Sequence, residues 1–245
     1  GDLIIRDNGQ LSQVDLPLLR LVGGAVLFLN VPRLLQVNLP ELTVVGDHLI
    51  FGRHADLDAA LSMQSPGTDL SNVELPALQA VGGALVFRNN PSLKLFALPK
   101  VRYVGDGLLI EHNAKLGGFE LSTNAQIMRT FTLDDNDALT ELIGFQGRTT
   151  VQGSLRILGN DALLSLKHLD DLRSVGGDLH LSENSRLSDS AMPSLQTVAG
   201  TFEVLGHEVI TGLEYEALTS VGERFEVSDN DSLKSISLPA LAEVG

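Results

Sequence analysis

The feature that most constrains this chain is a phrase that recurs ten times along it. Leu-x-hydrophobic-x-x-Asn-x-x-Leu begins at Leu3, Leu85, Leu108, Phe131, Leu155, Leu179 and Phe225, with degenerate copies from Val26, Leu49 and Phe202. Its asparagine slot falls at Asn8, Val31, His54, Asn90, Asn113, Asn136, Asn160, Asn184, His207 and Asn230, at intervals of 23 or 24 residues with one of 36. A second phrase, Leu-Pro-x-Leu-x-x-Val-Gly, lies between the copies and is whole at Leu16–Gly23, Leu39–Gly46, Leu75–Gly82 and Leu238–Gly245. Self-similarity at a fixed period is the mark of stacked repeats, in which a unit buries its apolar face only against its neighbours.

Each copy opens with alternation of period two, as in Leu3-Ile4-Ile5 and Phe225-Glu226-Val227, which describes a short strand. The Leu-Pro and Val-Gly elements leave segments too short, and too rich in Pro, Gly and Val, for regular helix. The expected fold is therefore all-β: a right-handed β-helix, or solenoid, of about ten coils of about 23 residues, with three short strands per coil stacked about 4.8 Å apart. Asn8, Asn90, Asn113, Asn136, Asn160, Asn184 and Asn230 would form a structural ladder just after the first strand, where an amide side chain can bond corner backbone. Residues 1–245 read as a single solenoid domain with an insertion at about 58–69. Because both ends fall abruptly, the C-terminal one inside a repeat, the chain is expected to be a piece of a longer protein.

With 31 acidic and 17 basic side chains the net charge is −14, which argues against nucleic acid and anionic membranes as partners. No apolar stretch is long enough for direct membrane insertion. The absence of cysteine removes disulfides, thiolate zinc sites and a thiol nucleophile together. The six histidines show no metal-ligand spacing, so no metal and no cofactor is expected. His54 and His207 stand in asparagine slots, and His112 and Asp135 would meet as a surface pair on adjacent coils. The clusters Asp134-Asp135-Asn136-Asp137 and Asp229-Asn230-Asp231 lack the ligand spacing of an EF-hand and read as solvated turns.

The run Val81-Gly82-Gly83-Ala84-Leu85-Val86-Phe87-Arg88-Asn89-Asn90-Pro91-Ser92-Leu93 resembles the receptor L domain, with the weakest fit to that family between Leu121 and Ser154. The resemblance implies a β-helix of leucine-rich-repeat character, an extracellular or cell-surface location and a role in recognition without catalysis. Lacking cysteine and having about ten coils, the chain looks more like a microbial surface relative than a hormone receptor. An ordinary leucine-rich repeat fits less well, since its asparagine is followed by one residue before the next leucine.

Two departures from regularity mark candidate binding surfaces. The outward residue at the centre of the first strand reads Ile4, Leu27, Ile50, Val86, Leu109, then Thr132, Arg156, His180, Glu203, Glu226. With Leu29 beside it, the first half would form a solvent-facing aliphatic column about 19 Å long, suited to a protein or glycan ligand or to self-association. The insertion offers Arg53, His54, Met63 and Gln64 as contacts. The expected function is a non-enzymatic recognition or adhesion module, with no catalytic residue assigned. A β-helical polysaccharide-active enzyme is a rival, disfavoured by the absence of tryptophan and by the net charge, which would repel an acidic glycan. A surface stalk without a ligand is another.

Overall fold

A computed structural model describes residues 1–52 and 67–245, and among them the protein is an all-β solenoid of about ten coils. No α-helix occurs among the described residues; two single 3-10 turns, Ile143–Phe145 and Lys167–Leu169, are the helical elements. One side is a parallel sheet of ten strands, here the long sheet: Leu3–Arg6, Val26–Leu29, Leu49–Gly52, Leu85–Arg88, Leu108–Glu111, Thr130–Asp134, Ser154–Leu158, Leu179–Ser182, Phe202–Leu205 and Phe225–Ser228. Its register joins equivalent positions of successive copies, as in Leu3↔Val26, Leu85↔Leu108 and Leu155↔Leu179. A second side carries smaller sheets, one of them formed by Asn72–Glu74, Leu95–Leu98 and Gly118–Leu121.

The third side is divided. Leu21–Val22, Val44–Val45, Ala80–Val81, Tyr103–Val104 and Gln126–Ile127 form one sheet of five strands. Thr150–Val151, Ser174–Val175, Thr197–Val198, Ser220–Val221 and Glu243–Val244 form another. Gln126–Ile127 and Thr150–Val151 are the terminal strands that face each other across the break.

The core runs the length of the solenoid in columns. Phe28, Phe51 and Phe87 stack with ring centroids 5.2 and 5.3 Å apart, and Phe96 and Phe119 continue the stack from the second side. The second leucine of the Leu-Pro-x-Leu phrase makes another column through Leu42, Leu78, Leu172, Leu195 and Leu218, all fully buried. The closing glycine of that phrase is needed where backbones meet. A Cβ on Gly46 would lie 2.3 Å from the Gly23 carbonyl oxygen, and one on Gly82 2.2 Å from that of Gly46.

Nine coils turn their first corner through a left-handed residue. Asp7, Asn30, Asn89, His112, Asp135, Glu183 and Asp229 have φ between 50° and 57°, and Gly159 and Gly206 have 59° and 67°. Asn, Asp and Gly adopt this conformation most readily, and the kink turns the next side chain inward. That next residue is the ladder position. Asn90, Asn113, Asn136, Asn160 and Asn184 are fully buried. The Asn136 Nδ2 donates to the Ile110 carbonyl (2.9 Å), while its Oδ1 accepts from the Asn113 Nδ2 (3.1 Å). The backbone N–H of Asn136 donates to the Asn160 Oδ1 at 3.2 Å, and Asn160 does the same to Asn184 at 3.0 Å. Asn230 accepts the His207 backbone N–H at 3.0 Å, whereas Asn8, in the first coil, is exposed and bonds only locally, to the Arg6 carbonyl.

The third coil corrects the expected register. His54 does not lie among the described residues, and the ladder neighbour of Asn90 is Thr68, whose backbone N–H and hydroxyl both donate to the Asn90 Oδ1, at 3.2 and 2.6 Å. Thr68 also forms an isolated parallel bridge with Val31. Gly67 and Thr68 therefore stand in the stack beside Asn89 and Asn90, while residues 53–66, which include His54 and most of the expected insertion at 58–69, lie outside the described residues. The strand ahead of an insertion cannot indicate which residue after it re-enters the stack.

Asn136→Ala leaves several buried donors and acceptors without partners and should destabilise the fold by about 3 kcal/mol, read as a lower urea midpoint. Burial pushes the pKa of His207 below its ordinary value, outweighing hydrogen bonds to the backbone at Asn184 and Leu181. The unfolded state then takes up a proton first, so this contribution is complete above about pH 6.5 and is lost as pH falls below it. Wild-type melting temperature should accordingly fall further between neutral and mildly acidic pH than that of His207→Asn.

Candidate functional site

The outer face of the long sheet is the broadest regular surface of the solenoid, and the pleat decides what it carries. Leu85 and Phe87 point into the core, so Val86 and Arg88 point out. The same rule puts Ile4, Leu27, Ile50, Val86 and Leu109 in one outer column with Leu29 beside it. Their environment is not the expected one. Ile4 is 50% exposed, but Leu27 and Leu29 are 7% and 6% exposed, and Ile50 and Val86 are fully buried. With Ala25 and Ala84 they form a second apolar cluster, against which half-buried Leu109 packs. The expectation of a solvent-facing aliphatic column is therefore corrected. Alternation selects the side of a sheet on which a side chain lies, not whether that side meets water. Arg53, Met63 and Gln64, like His54, lie outside the described residues.

At the edge of this cluster Arg88 and Glu111 form a largely buried ion pair. Beyond it the outer face turns polar, and the side chains are ordered by one another. Thr132 is buried, while Arg156, His180, Glu203 and Glu226 are half-buried in register on successive strands. The His180 Nδ1 lies 2.6 Å from the Glu203 Oε2, and its Nε2 3.6 Å from the Asp178 Oδ2. Arg224 pairs with Glu203 and, at 2.8 Å, with Glu226. Asp134 sits where Glu111 would continue; burial, and then the charge of Asp135, push its carboxyl above the usual range against the opposing pull of His112 and Arg156. The result is a ridge of mutually paired side chains that spans several coils.

Its chemistry is that of hydrogen bonding and charge complementarity. Both ring nitrogens of His180 face carboxylates. His112 and Asp135 meet at 2.9 Å on the exposed corner. Among the described residues no three His, Asp or Glu side chains converge in a way that could hold a metal ion. No helix among them is long and apolar enough to cross a membrane.

Sequence reasoning did not single out Asp178 and Arg224, which tie the ridge together, or Arg148, a buried cation on the third side. No sequence signal marks Arg148, because the Leu-Pro-x-Leu phrase is lost around it and its place in that column is given by the backbone bond to Phe145.

Fold and surface together define a β-solenoid with one polarised sheet face. The chain is similar to a protein of Arthroderma benhamiae named "Cell surface GPI-anchored protein", with 24% identity over 167 residues. The match covers 64% of this chain and 41% of that protein, so the chain spans well under two thirds of the relative's length. No protein-family model matches the chain, and no solved structure matches it.

Val86→Asp buries a charge without a partner and should destabilise the protein by at least about 3 kcal/mol. Ile4→Asp, on the same column but exposed, should stay within about 0.5 kcal/mol of wild type. Denaturant titration of the two variants side by side separates a buried outer face from an open one.

Proposed function

We propose that this chain is a non-enzymatic recognition module displayed at the cell surface, of receptor L-domain type, which engages a protein or glycan through the polar half of the long sheet. The observation that carries this reading is the ridge of Asp178, His180, Glu203, Arg224 and Glu226, held by lateral ion pairs over consecutive strands. Side chains already ordered by their neighbours lose little further freedom on binding, which favours affinity and selectivity. The likeness to a protein named as a cell-surface GPI-anchored protein supports the location and, with it, a non-enzymatic role. The buried state of Leu27, Ile50 and Val86 moves the contact surface away from the aliphatic half and towards the charged one.

The double reversal Glu203→Lys with Glu226→Lys changes the sign of the ridge at two partly buried positions. On an array of immobilised glycans and surface proteins, fluorescently labelled wild type should retain a defined set of ligands that the variant loses by about tenfold or more. Release of reducing ends from any bound polysaccharide would replace this reading with an enzymatic one.

A further inference from the structure

The third side of the solenoid breaks where an arginine occupies a leucine position. In the column set by the second leucine of the Leu-Pro-x-Leu phrase, each residue donates its backbone N–H to the carbonyl three residues earlier: Leu78 to Leu75, Val101 to Leu98, Ala125 to Ser122, Arg148 to Phe145, Leu172 to Leu169. The column thus reads Leu, Val, Ala, Arg, Leu through the middle of the chain. Arg148 is only 5% exposed, with the small Ala125 in the coil before it. Its guanidinium donates to the Ala125 carbonyl and, at 3.2 Å, to that of Ser122, and its buried Nε has no partner. A guanidinium has five N–H donors, so three are uncommitted, and among the described residues no carboxylate pairs with it. Burial alone acts on its pKa, downward. An ionised group held in this way is costly unless something else meets its charge.

That something has room. Arg148 lines a cleft of about 220 Å³ at the break between the two five-stranded sheets, walled by 123–127 and 147–152. Thr123, Gln126, Thr149, Thr150 and Gln152 supply exposed hydroxyls and amides, and no acidic residue lines it, in a chain with 31 of them. A second cleft of about 190 Å³ shares Asn124 with the first and adds Lys100 and Arg102, again without a carboxylate. The local field is therefore opposite to that of the whole molecule, and the repulsion expected of an acidic sugar does not hold at this place.

We infer that the cleft between Gln126–Ile127 and Thr150–Val151 binds the oxyanion of a hydroxylated ligand, the carboxylate of an acidic sugar or the phosphate of a phosphorylated one. Arg148 receives the charge, and the surrounding amides and hydroxyls bond the carrier. The site is separate from the ridge on the long sheet, and the two stand or fall independently.

The test follows backbone amide shifts by NMR in the intact chain at constant ionic strength, with glucuronate, inorganic phosphate and glucose as probes. Glucuronate or phosphate should shift residues 123–127 and 147–152 in a saturable way, and the stronger of the two identifies the oxyanion; glucose should not. Arg148→Leu restores the column and should fold with an equal or higher melting temperature while losing the response. Because that variant also removes two bonds to carbonyls, Gln126→Glu with Gln152→Glu provides a second test. It places carboxylates at exposed rim positions and should weaken binding at least about tenfold with melting unchanged. No saturable shift with either anion, or shifts that persist in the Gln126→Glu/Gln152→Glu protein, would overturn the inference.

Discussion

Everything in this structure depends on the hydrogen bonds that each coil makes to the coil above and below it. A 23-residue circuit has to close so that equivalent backbone groups face one another, and at the first corner two residues in sequence secure that closure. One takes a left-handed conformation, and the next sends an amide into the core. An asparagine can accept from one neighbouring coil while donating to another, which no apolar side chain can do. The five consecutive buried asparagines from Asn90 to Asn184 thus act as a polar spine inside an otherwise aliphatic and aromatic interior. At Thr68 and His207 the residue that replaces asparagine still presents an atom that meets the adjacent coil, whereas Val31 fills its slot with a buried apolar side chain.

With the interior committed to stacking, variation is left to the outside, and the three sides diverge. One half of the long sheet is aliphatic, with Leu27, Leu29, Ile50 and Val86 buried; the other holds charges that satisfy each other. The third side contains the break, and with it the buried arginine. A strongly acidic chain thereby keeps a local region of opposite sign.

The period, the number of coils and the identity of the inward columns were legible because they are written in spacing and alternation. So was the corner asparagine, as a residue type that tolerates corners and has an amide to offer. Three matters were not. Thr68 was hidden because an insertion erases the count by which residues are matched. The burial of Leu27, Ile50 and Val86 was hidden because period two reports a side of the sheet and nothing of what shares that side. Arg148 was hidden within Leu121–Ser154, where the Leu-Pro phrase has decayed so far that its column can be followed only through the backbone bonds.

The divided third side has a mechanical consequence. The long sheet passes through the sixth and seventh coils without interruption, whereas Gln126–Ile127 and Thr150–Val151 do not pair. A rod held along one wall and unstitched along another bends most easily about the wall that holds. Curvature of the molecule and the width of the slot beside Arg148 are thus the same coordinate, and a stack under shear would flex at this joint before any coil came apart.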